Sequence, residues 1–307
     1  MINTLYKINF QPQQYNFRQQ QRPVLPNQPC RDTVSFTSVN LLKKESGEIT
    51  KIVKDVIDNT EKIGFGSEGE VFKIPDTNYC VKIMKGESTR FFGDWKMNVS
   101  EQDKINNIVA RAENDAVIMN YLEGQPLKWN KPDEIYDLPK SAYKNLLKQM
   151  QRANDECMKF DNSPSNVIYN PKEKTLTAID FYEPSPDVEF EYTPLSTAFS
   201  VLHNHSASPE HMKNNRNLAG KLLDIVLDEL TSGRDPEFDI DRYDVFKLFG
   251  QLRMSQNLNE APQMRYLREA FSDIFRLKDL PKTEENTRIF NGKVKYSKAI
   301  IKQELGQ

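Results

Sequence analysis

The chain has 307 residues, 28% of them charged and 37% hydrophobic, and its 42 basic and 44 acidic residues nearly balance. This length accommodates two domains or one large domain of two parts. The balanced charge argues against nucleic-acid binding as the main activity. No stretch has the ~18 apolar residues of a membrane-spanning helix, so we expect no membrane insertion.

The first 45 residues are rich in Gln, Asn and Pro and show neither helical nor strand periodicity. They predict a disordered tail. The tail lacks the apolar core of a secretory signal peptide, which favours a cytoplasmic protein. Cys30, Cys80 and Cys157 are far apart and form no zinc-binding pattern, so we expect three free thiols.

Hydrophobic spacing predicts a short amphipathic helix after the tail, with Ser46 as its cap. From Glu61 apolar and polar residues alternate with a period of two, which predicts two strands separated by the turn sequence PDTN. A second helix is expected over NVSEQDKINNIV, capped by Ser100. The stretch AVIMNYLEG reads as a buried strand that ends in a glycine.

From Pro126 onward helices dominate. One helical face is formed by Tyr143, Leu146, Leu147, Met150, Ala153 and Cys157. The stretch NVIYNPKEKTLTAIDF predicts a tight β-hairpin, and residues 195–307 are mostly helical. The sequence therefore predicts an α+β protein with a tail over 1–45, a small β-rich part over 46–124 and a larger helical part over 125–307.

Three glycines in the stretch IGFGSEGEVFKI form the pattern G-x-G-x-x-G. A dinucleotide-binding fold needs a helix after this loop, and here a strand follows. A Walker loop ends in G-K-[ST], whereas Gly69 precedes Glu70. A hairpin with glycines at its tip resembles the nucleotide lid of protein kinases, because Gly64, Gly66, Gly69 and Val71 match its G-x-G-x-x-G-x-V pattern.

That resemblance extends to the next strand. Lys82 in YCVKIMK matches the lysine that holds the α- and β-phosphates of ATP, and Cys80 takes the place of the small residue that packs on adenine. The lysine requires a carboxylate partner on the following helix. Glu101 is the expected partner, and Glu87 and Glu113 are alternatives.

The stretch AVIMNYLEG resembles the strand that leads into the hinge between the two lobes of a kinase. The resemblance places Met119 behind adenine and gives Asn120 and Leu122 backbone groups for the base edge. Glu123 would reach the ribose. A plain buried strand followed by a turn would have the same pattern.

The catalytic loop of kinases has the spacing D-x-x-x-x-N, followed by a hairpin and D-F-G. Asp161 and Asn166 have this spacing, and Asp180 opens D-F-Y after the hairpin. By resemblance, Asp161 orients the attacking hydroxyl, while Asn166 and Asp180 bind Mg²⁺. The chain is thus similar to divergent members of the protein-kinase-like superfamily, such as compact bacterial effector kinases, over roughly residues 60–183.

Several positions depart from that family. The His-Arg before the catalytic Asp is Lys159-Phe160, so control by a phosphorylated activation loop is not expected. Ser163 stands where protein kinases commonly have a lysine, and Tyr182 replaces the glycine of D-F-G. The loss of one cation near the γ-phosphate can lower the rate by roughly 10²–10³.

The resemblance implies a two-lobed kinase-like fold that uses ATP and Mg²⁺ to phosphorylate a hydroxyl-bearing acceptor. A protein Ser/Thr kinase is the leading expectation. A small-molecule kinase, a nucleotide-binding module without turnover, and transfer of AMP instead of phosphate stay open. If the protein is an effector, its working location would be a host cell reached by a non-classical export route.

Overall fold

A computed structural model describes residues 41–65, 69–85, 93–113, 116–129, 131–184, 193–205, 208–233, 236–255 and 262–306. Within these ranges the protein is α+β with an antiparallel sheet, which confirms the predicted class. Most of the predicted tail lies outside the described residues, as do Gly66 and Glu87.

The helices and strands follow the chain in this order. The α-helices are α1 (Ser46–Asn59), α2 (Glu101–Ile105), α3 (Lys140–Asp155), α4 (Pro194–Leu202), α5 (Pro209–Thr231), α6 (Arg242–Ser255), α7 (Pro262–Lys278) and α8 (Glu284–Glu304). The strands are β1 (Lys62–Phe65), β2 (Gly69–Lys73), β3 (Tyr79–Met84), β4 (Trp95–Lys96), β5 (Ile108–Ala112), β6 (Ala116–Asn120), β7 (Gln125–Pro126), β8 (Lys159–Phe160), β9 (Val167–Asn170), β10 (Thr175–Ala178) and β11 (Phe181–Tyr182).

The largest sheet has six antiparallel strands in the order β1-β2-β3-β6-β5-β4. The predicted strands on either side of the PDTN turn are β2 and β3, which pair directly. Lys82 lies on β3 opposite Val71 on β2 and Val117 on β6. An interior strand with neighbours on both sides holds its side chains in fixed directions, so Lys82 has a defined place in the sheet.

Helix α1 packs on this sheet through Ile49, Val53 and Val56, which are buried at helical spacing. Ser46 is its first residue rather than its cap. The Ser46 hydroxyl donates to Asp94 and accepts the Trp95 N–H, so it fastens the helix to β4. Leu41 is buried in a short 3₁₀ turn before α1, so the end of the predicted tail is folded.

The predicted helix over NVSEQDKINNIV is much shorter in the structure. Ser100 caps it as expected, in a reciprocal capping box with Asp103. The helix ends after one turn, and Asn107 adopts a left-handed φ of 60° before β5 begins at Ile108. The β-branched, alternating stretch from Ile108 pairs with β6 and prevails over helix continuation.

Helix α3 buries the predicted face from Tyr143 to Ala153. Cys157 does not belong to that face, because it follows the helix end, is exposed and has a φ of 56°. The predicted hairpin is formed by β9 and β10, which pair from Asn170–Thr175 to Val167–Ala178.

The buried hydrophobic side chains form two clusters. One combines α1 with the six-stranded sheet, from Leu41 to Ile118. The other extends from Ile105 to Leu305 and includes α3 and the later helices. No helix among the described residues is long and apolar enough to cross a bilayer.

Candidate active site

Lys82 faces a carboxylate from a distant part of the chain. Its Nζ lies 3.5 Å from Oδ1 of Asp180, which precedes β11. The Lys82 side chain is 19% exposed and that of Asp180 is 46% exposed. Asp180 has a left-handed φ of 66°, a conformation that Asp and Asn tolerate better than most residues. The pair thus joins the first sheet to the segment after the β9–β10 hairpin.

Asp161 and Asn166 also lie together. The Asn166 Nδ2 group donates to Oδ2 of Asp161 at 3.1 Å and to its backbone oxygen at 3.3 Å. A 3₁₀ turn over Pro164–Asn166 closes the loop between them. Asn166 is buried and Asp161 is exposed, so the buried amide orients a carboxylate that stays accessible.

The two pairs are neighbours through the backbone. The Ile179 N–H donates to the Asn166 carbonyl at 2.8 Å, and Val167 pairs with Ala178 at the end of the hairpin. Asn166 and Asp180 therefore leave the same end of a two-stranded ladder. Lys82, Asp161, Asn166 and Asp180 are brought to one region from three separate segments.

Asn106 is a site residue that sequence reasoning missed. Its Nδ2 donates to the Phe181 carbonyl, and its Oδ1 accepts the Phe181 N–H, both at 2.8 Å. The carboxamide thus imitates a strand partner for the residue directly after Asp180. Asn106 follows the last residue of α2, and a polar residue at a helix end gives no sequence signal for a partner 75 positions away.

The expected ion pair between Lys82 and Glu101 is not formed. Glu101 opens the single turn of α2, and its carboxylate oxygens contact Lys104 and Arg152. Its side chain is 53% exposed. The hydrogen bonds from Lys104 lower the pKa of the Glu101 carboxyl. The one-turn helix leaves Glu101 at the surface, whereas Asp180 supplies a carboxylate that faces Lys82.

Glu113, the described alternative to Glu101, is an exposed residue in the turn after β5. It has a left-handed φ of 40°. No contact between Glu113 and Lys82 is present among the described residues.

The structure requires glycine at one position of the predicted lid and has room for a Cβ atom at another. A Cβ on Gly69 would overlap the backbone oxygen of Ile83, so β2 and β3 pack too closely there for any side chain. A Cβ on Gly64 would lie 3.8 Å from that of Val71, an ordinary contact. Gly64 and Val71 are direct partners across β1 and β2. The fold thus explains Gly69 and leaves Gly64 without a steric reason.

Cys80 and Met119 face each other on β3 and β6. Burial raises the pKa of the Cys80 thiol to about 11, so this cysteine is neutral and acts as a small apolar group. After Met119 the chain passes through Asn120, whose N–H donates to Asn107 O. Leu122 is half-buried and Glu123 is exposed.

The segment after β6 has two features that the sequence did not suggest. Lys73 lies 4.5 Å from the centre of the Tyr121 ring and donates to backbone oxygens around the β2–β3 turn. Gly124 has a φ of 129°, and a Cβ there would collide with Tyr169 O. β6 ends at Asn120, and Gly124 lies directly before β7 at a position where a side chain has no room.

The residues that depart from the kinase pattern have structural partners. Phe160 pairs with Phe181 across β8 and β11, and their rings lie 5.3 Å apart. Ser163 Oγ lies 2.7 Å from Ser165 Oγ. Tyr182 is 48% exposed. The chain neighbours of Asp161 and Asp180 thus form an aromatic pair.

The oxygen donors of this region suit a hard cation. Asp180 offers a carboxylate, and Asn166 offers its amide oxygen because both of its donor contacts go to Asp161. Mg²⁺ prefers such ligands, usually with one or two protein groups, substrate phosphates and water. No cluster of three or more His, Cys, Asp or Glu residues suited to a metal occurs in the described part of the chain.

Two histidines pack together at the end of α4. The rings of His203 and His205 lie 4.2 Å apart, and Lys131 Nζ donates to the His203 carbonyl at 2.7 Å. Lys131 is only 4% exposed, and burial lowers its pKa to about 8. Burial also lowers the pKa of His203, to about 4. This packing indicates a structural role for the two histidines.

No protein-family model matches the chain, and no curated protein matches it at a significant level. A search of solved structures finds similarity to Rad53 1–466 in complex with AMP-PNP. The match has 13% sequence identity and a TM-score of 0.28, and it covers 69% of this chain and 58% of the Rad53 chain. The geometry of the site itself is therefore the basis for inferring the function.

Proposed function

We propose that the protein is an ATP- and Mg²⁺-dependent phosphotransferase with a two-lobed, protein-kinase-like fold. The observation that carries the proposal is the convergence of two pairs, Lys82–Asp180 and Asp161–Asn166, on one end of the β9–β10 hairpin. Phosphoryl transfer requires a cation for the phosphates, oxygen ligands for Mg²⁺ and a group that orients the acceptor hydroxyl. These side chains are of the required types.

Each residue has a role in this proposal. Lys82 holds the α- and β-phosphates, and Asp180 with Asn166 holds Mg²⁺, which neutralises charge on the phosphates. Asp161 orients the attacking hydroxyl and accepts its proton. The glycine hairpin, including Gly64 and Gly66, covers the phosphates with its backbone N–H groups.

The adenine would lie against β3 and β6. Cys80 and Val71 would contact its faces, and Met119 would lie behind it. Asn120 and Leu122 would present backbone groups to its edge, and Glu123 would reach the ribose. The acceptor is proposed to be a Ser or Thr hydroxyl of a protein.

A second candidate is a module that binds nucleotide without turnover. The observation that favours it is the position of Glu101, whose carboxylate contacts Lys104 and Arg152 at the surface. In kinases both the lysine–glutamate pair and the metal-binding aspartate are needed for activity. A direct Lys82–Asp180 contact is compatible with either an inactive resting state or a permanent binding module.

The test is a comparison of Mg-ATP binding and phosphate transfer. Binding is measured by calorimetry, and transfer is measured with γ-labelled ATP on generic protein and small-molecule acceptors. The variants are Lys82→Met and Asp161→Asn, and Lys96→Met on the exposed edge strand β4 is the matched lysine control. The phosphotransferase is supported if Lys82→Met alone loses Mg-ATP binding and both Lys82→Met and Asp161→Asn lose phosphate transfer.

The alternatives give different results. Binding of Mg-ATP without transfer in the unaltered protein supports the second candidate. Absence of Mg-ATP binding in the unaltered protein contradicts both functions.

A further inference from the structure

A cavity of about 270 Å³ lies beside Asp161. Phe160 and Asn162, the chain neighbours of Asp161 on either side, are part of its wall. Other wall residues come from β11, α4 and α6. A volume of this size suits one side chain or a small head group rather than a folded segment.

The wall of the cavity carries positive charge. Lys159 reaches it from β8 and Lys247 from α6. Lys247 donates to the Thr193 hydroxyl at 3.2 Å. None of the described residues that line the cavity is acidic. Hydroxyl and amide side chains make up most of the remaining wall, so the cavity offers many hydrogen-bond donors for an anion.

The start of α4 lines the cavity with hydroxyl groups. Thr193 precedes the helix, and Ser196 and Thr197 in its first turn line the cavity. Asp244, buried behind them, accepts the backbone N–H groups of Leu195 and Ser196 at 2.6 and 2.8 Å. Because its carboxylate is held by the helix start, it offsets the helix dipole rather than filling the cavity.

Gln251 gives an independent indication that the cavity takes a polar occupant. It lines the cavity one helical turn after Lys247. Its Oε1 atom is buried and has no hydrogen-bond partner among the described residues. An amide oxygen accepts hydrogen bonds and cannot pair with an anion, so this atom needs a donor group of the occupant. The Nε2 group of the same side chain can donate to an anion.

We propose that this cavity binds the anionic group of the acceptor, a phosphate monoester or a carboxylate, while Asp161 orients the acceptor hydroxyl. This inference rests on the proposed function and adds to it a substrate class: acceptors that carry an acidic group close to the hydroxyl. Lys247 neutralises the charge, and the hydroxyls of α4 supply further donors.

The first test uses inorganic phosphate as the probe, titrated at constant ionic strength against chloride and followed by amide chemical shifts. Lys247→Gln removes the cation, and Gln251→Leu replaces the unpaired amide with a group of similar size. Lys282→Gln, at an exposed site before α8, is the control for charge. Lys82→Met separates this cavity from the proposed nucleotide site.

We expect phosphate affinity to fall about tenfold in Lys247→Gln and to stay unchanged in Lys282→Gln and Lys82→Met. Gln251→Leu, which retains the lysines, is expected to bind phosphate more weakly while it folds at least as stably. Equal phosphate affinity in the unaltered protein, Lys247→Gln and Gln251→Leu would overturn the proposal.

The second test measures transfer to paired peptides in which a Ser is followed by Asp, phosphoserine or Asn. The KM is expected to be lower for the acidic peptides, and Lys247→Gln should remove that difference. If phosphate binding depends on Lys247 but no acceptor is phosphorylated, the phosphotransferase proposal is contradicted and the anion site is supported. Transfer with no preference for acidic peptides and no effect of Lys247→Gln would overturn the anion site alone.

Discussion

Lys82 on β3 lies 3.5 Å from Asp180, which is 98 positions further along the chain. The interior strand β3 thus places the Lys82 ammonium group next to Asp180, which follows the β9–β10 hairpin. Since Asp180 retains about half of its exposure, it can exchange the lysine for another cation.

Asp180→Asn is expected to leave the free energy of unfolding within about 0.5 kcal/mol, because Asn adopts the left-handed φ at least as easily as Asp. Mg-dependent ATP affinity should fall at least ~10-fold, because a neutral amide replaces the carboxylate ligand. Calorimetry with and without Mg²⁺ measures this. Asp279→Asn, at an exposed position after α7, is the control. Unchanged Mg²⁺ dependence would remove Asp180 from the metal site.

Gly69→Ala and Gly64→Ala separate folding from nucleotide binding. Gly69→Ala should destabilise the protein by about 1–3 kcal/mol, because its Cβ overlaps Ile83 O. Gly64→Ala has room and should cost less than ~1 kcal/mol. Chemical denaturation measures both. Weaker ATP binding by Gly64→Ala at unchanged stability would show that Gly64 is required for nucleotide binding. Unchanged ATP affinity would argue against a phosphate lid at this position.

Asn106→Ala should destabilise the protein by about 2 kcal/mol, since two hydrogen bonds to Phe181 are lost and both backbone groups are left unpaired. Denaturant unfolding and hydrogen exchange of the Phe181 amide provide the measurement. The control is Asn98→Ala, at an exposed position before α2. Unaltered protection of the Phe181 amide would mean that the carboxamide does not hold this segment in solution.

Glu101→Gln is expected to have the melting temperature and Mg-ATP affinity of the unaltered protein. Its partners Lys104 and Arg152 are themselves half or more exposed, and such pairs are screened by water and salt. Calorimetry and thermal unfolding check this. A marked loss of ATP affinity would show that Glu101 reaches Lys82 in a conformation other than the one described.

Lys131 predicts a dependence of stability on pH. Its pKa is about 8 in the folded protein and 10.5 when exposed, so between these values the unfolded chain binds more protons and stability rises with pH. From pH 7.5 to 9.5 the gain is about 2 kcal/mol. Lys131→Met should lack this rise, and the difference between the two proteins cancels other titrating groups such as Cys80. Parallel stability curves would contradict a buried, titrating Lys131.

The parts of the site that depend on local pattern were predictable from sequence. The hairpins, Lys82 on a strand and the D-x-x-x-x-N spacing all rest on period and turn residues, and the structure confirms the strands that hold them. The length of α2 was not predictable, because Ile108 and Val109 fit a helix face as well as a strand and only pairing with β6 decides. The predicted ion pair between Lys82 and Glu101 was wrong for the same reason, because it assumed a longer α2.

Contacts between distant segments also left no mark in the sequence. The Asn106–Phe181 and Lys82–Asp180 pairs each join residues more than 70 positions apart. A polar side chain at a helix end is common for local reasons, so nothing distinguishes one that binds a remote backbone. The cavity beside Asp161 draws on β8, β11, α4 and α6, whose proximity only the tertiary fold creates.

Cys157 makes the region near Asp161 accessible to chemical labelling. Its thiol is exposed in the turn after α3, whereas Cys80 is buried and its high pKa keeps the thiol unreactive. After Cys30→Ser, a maleimide dye would react selectively at position 157, four residues before Asp161. The fluorescence of a dye at position 157 would report ligand binding at the neighbouring sites. Ligands could therefore be screened before any acceptor is known.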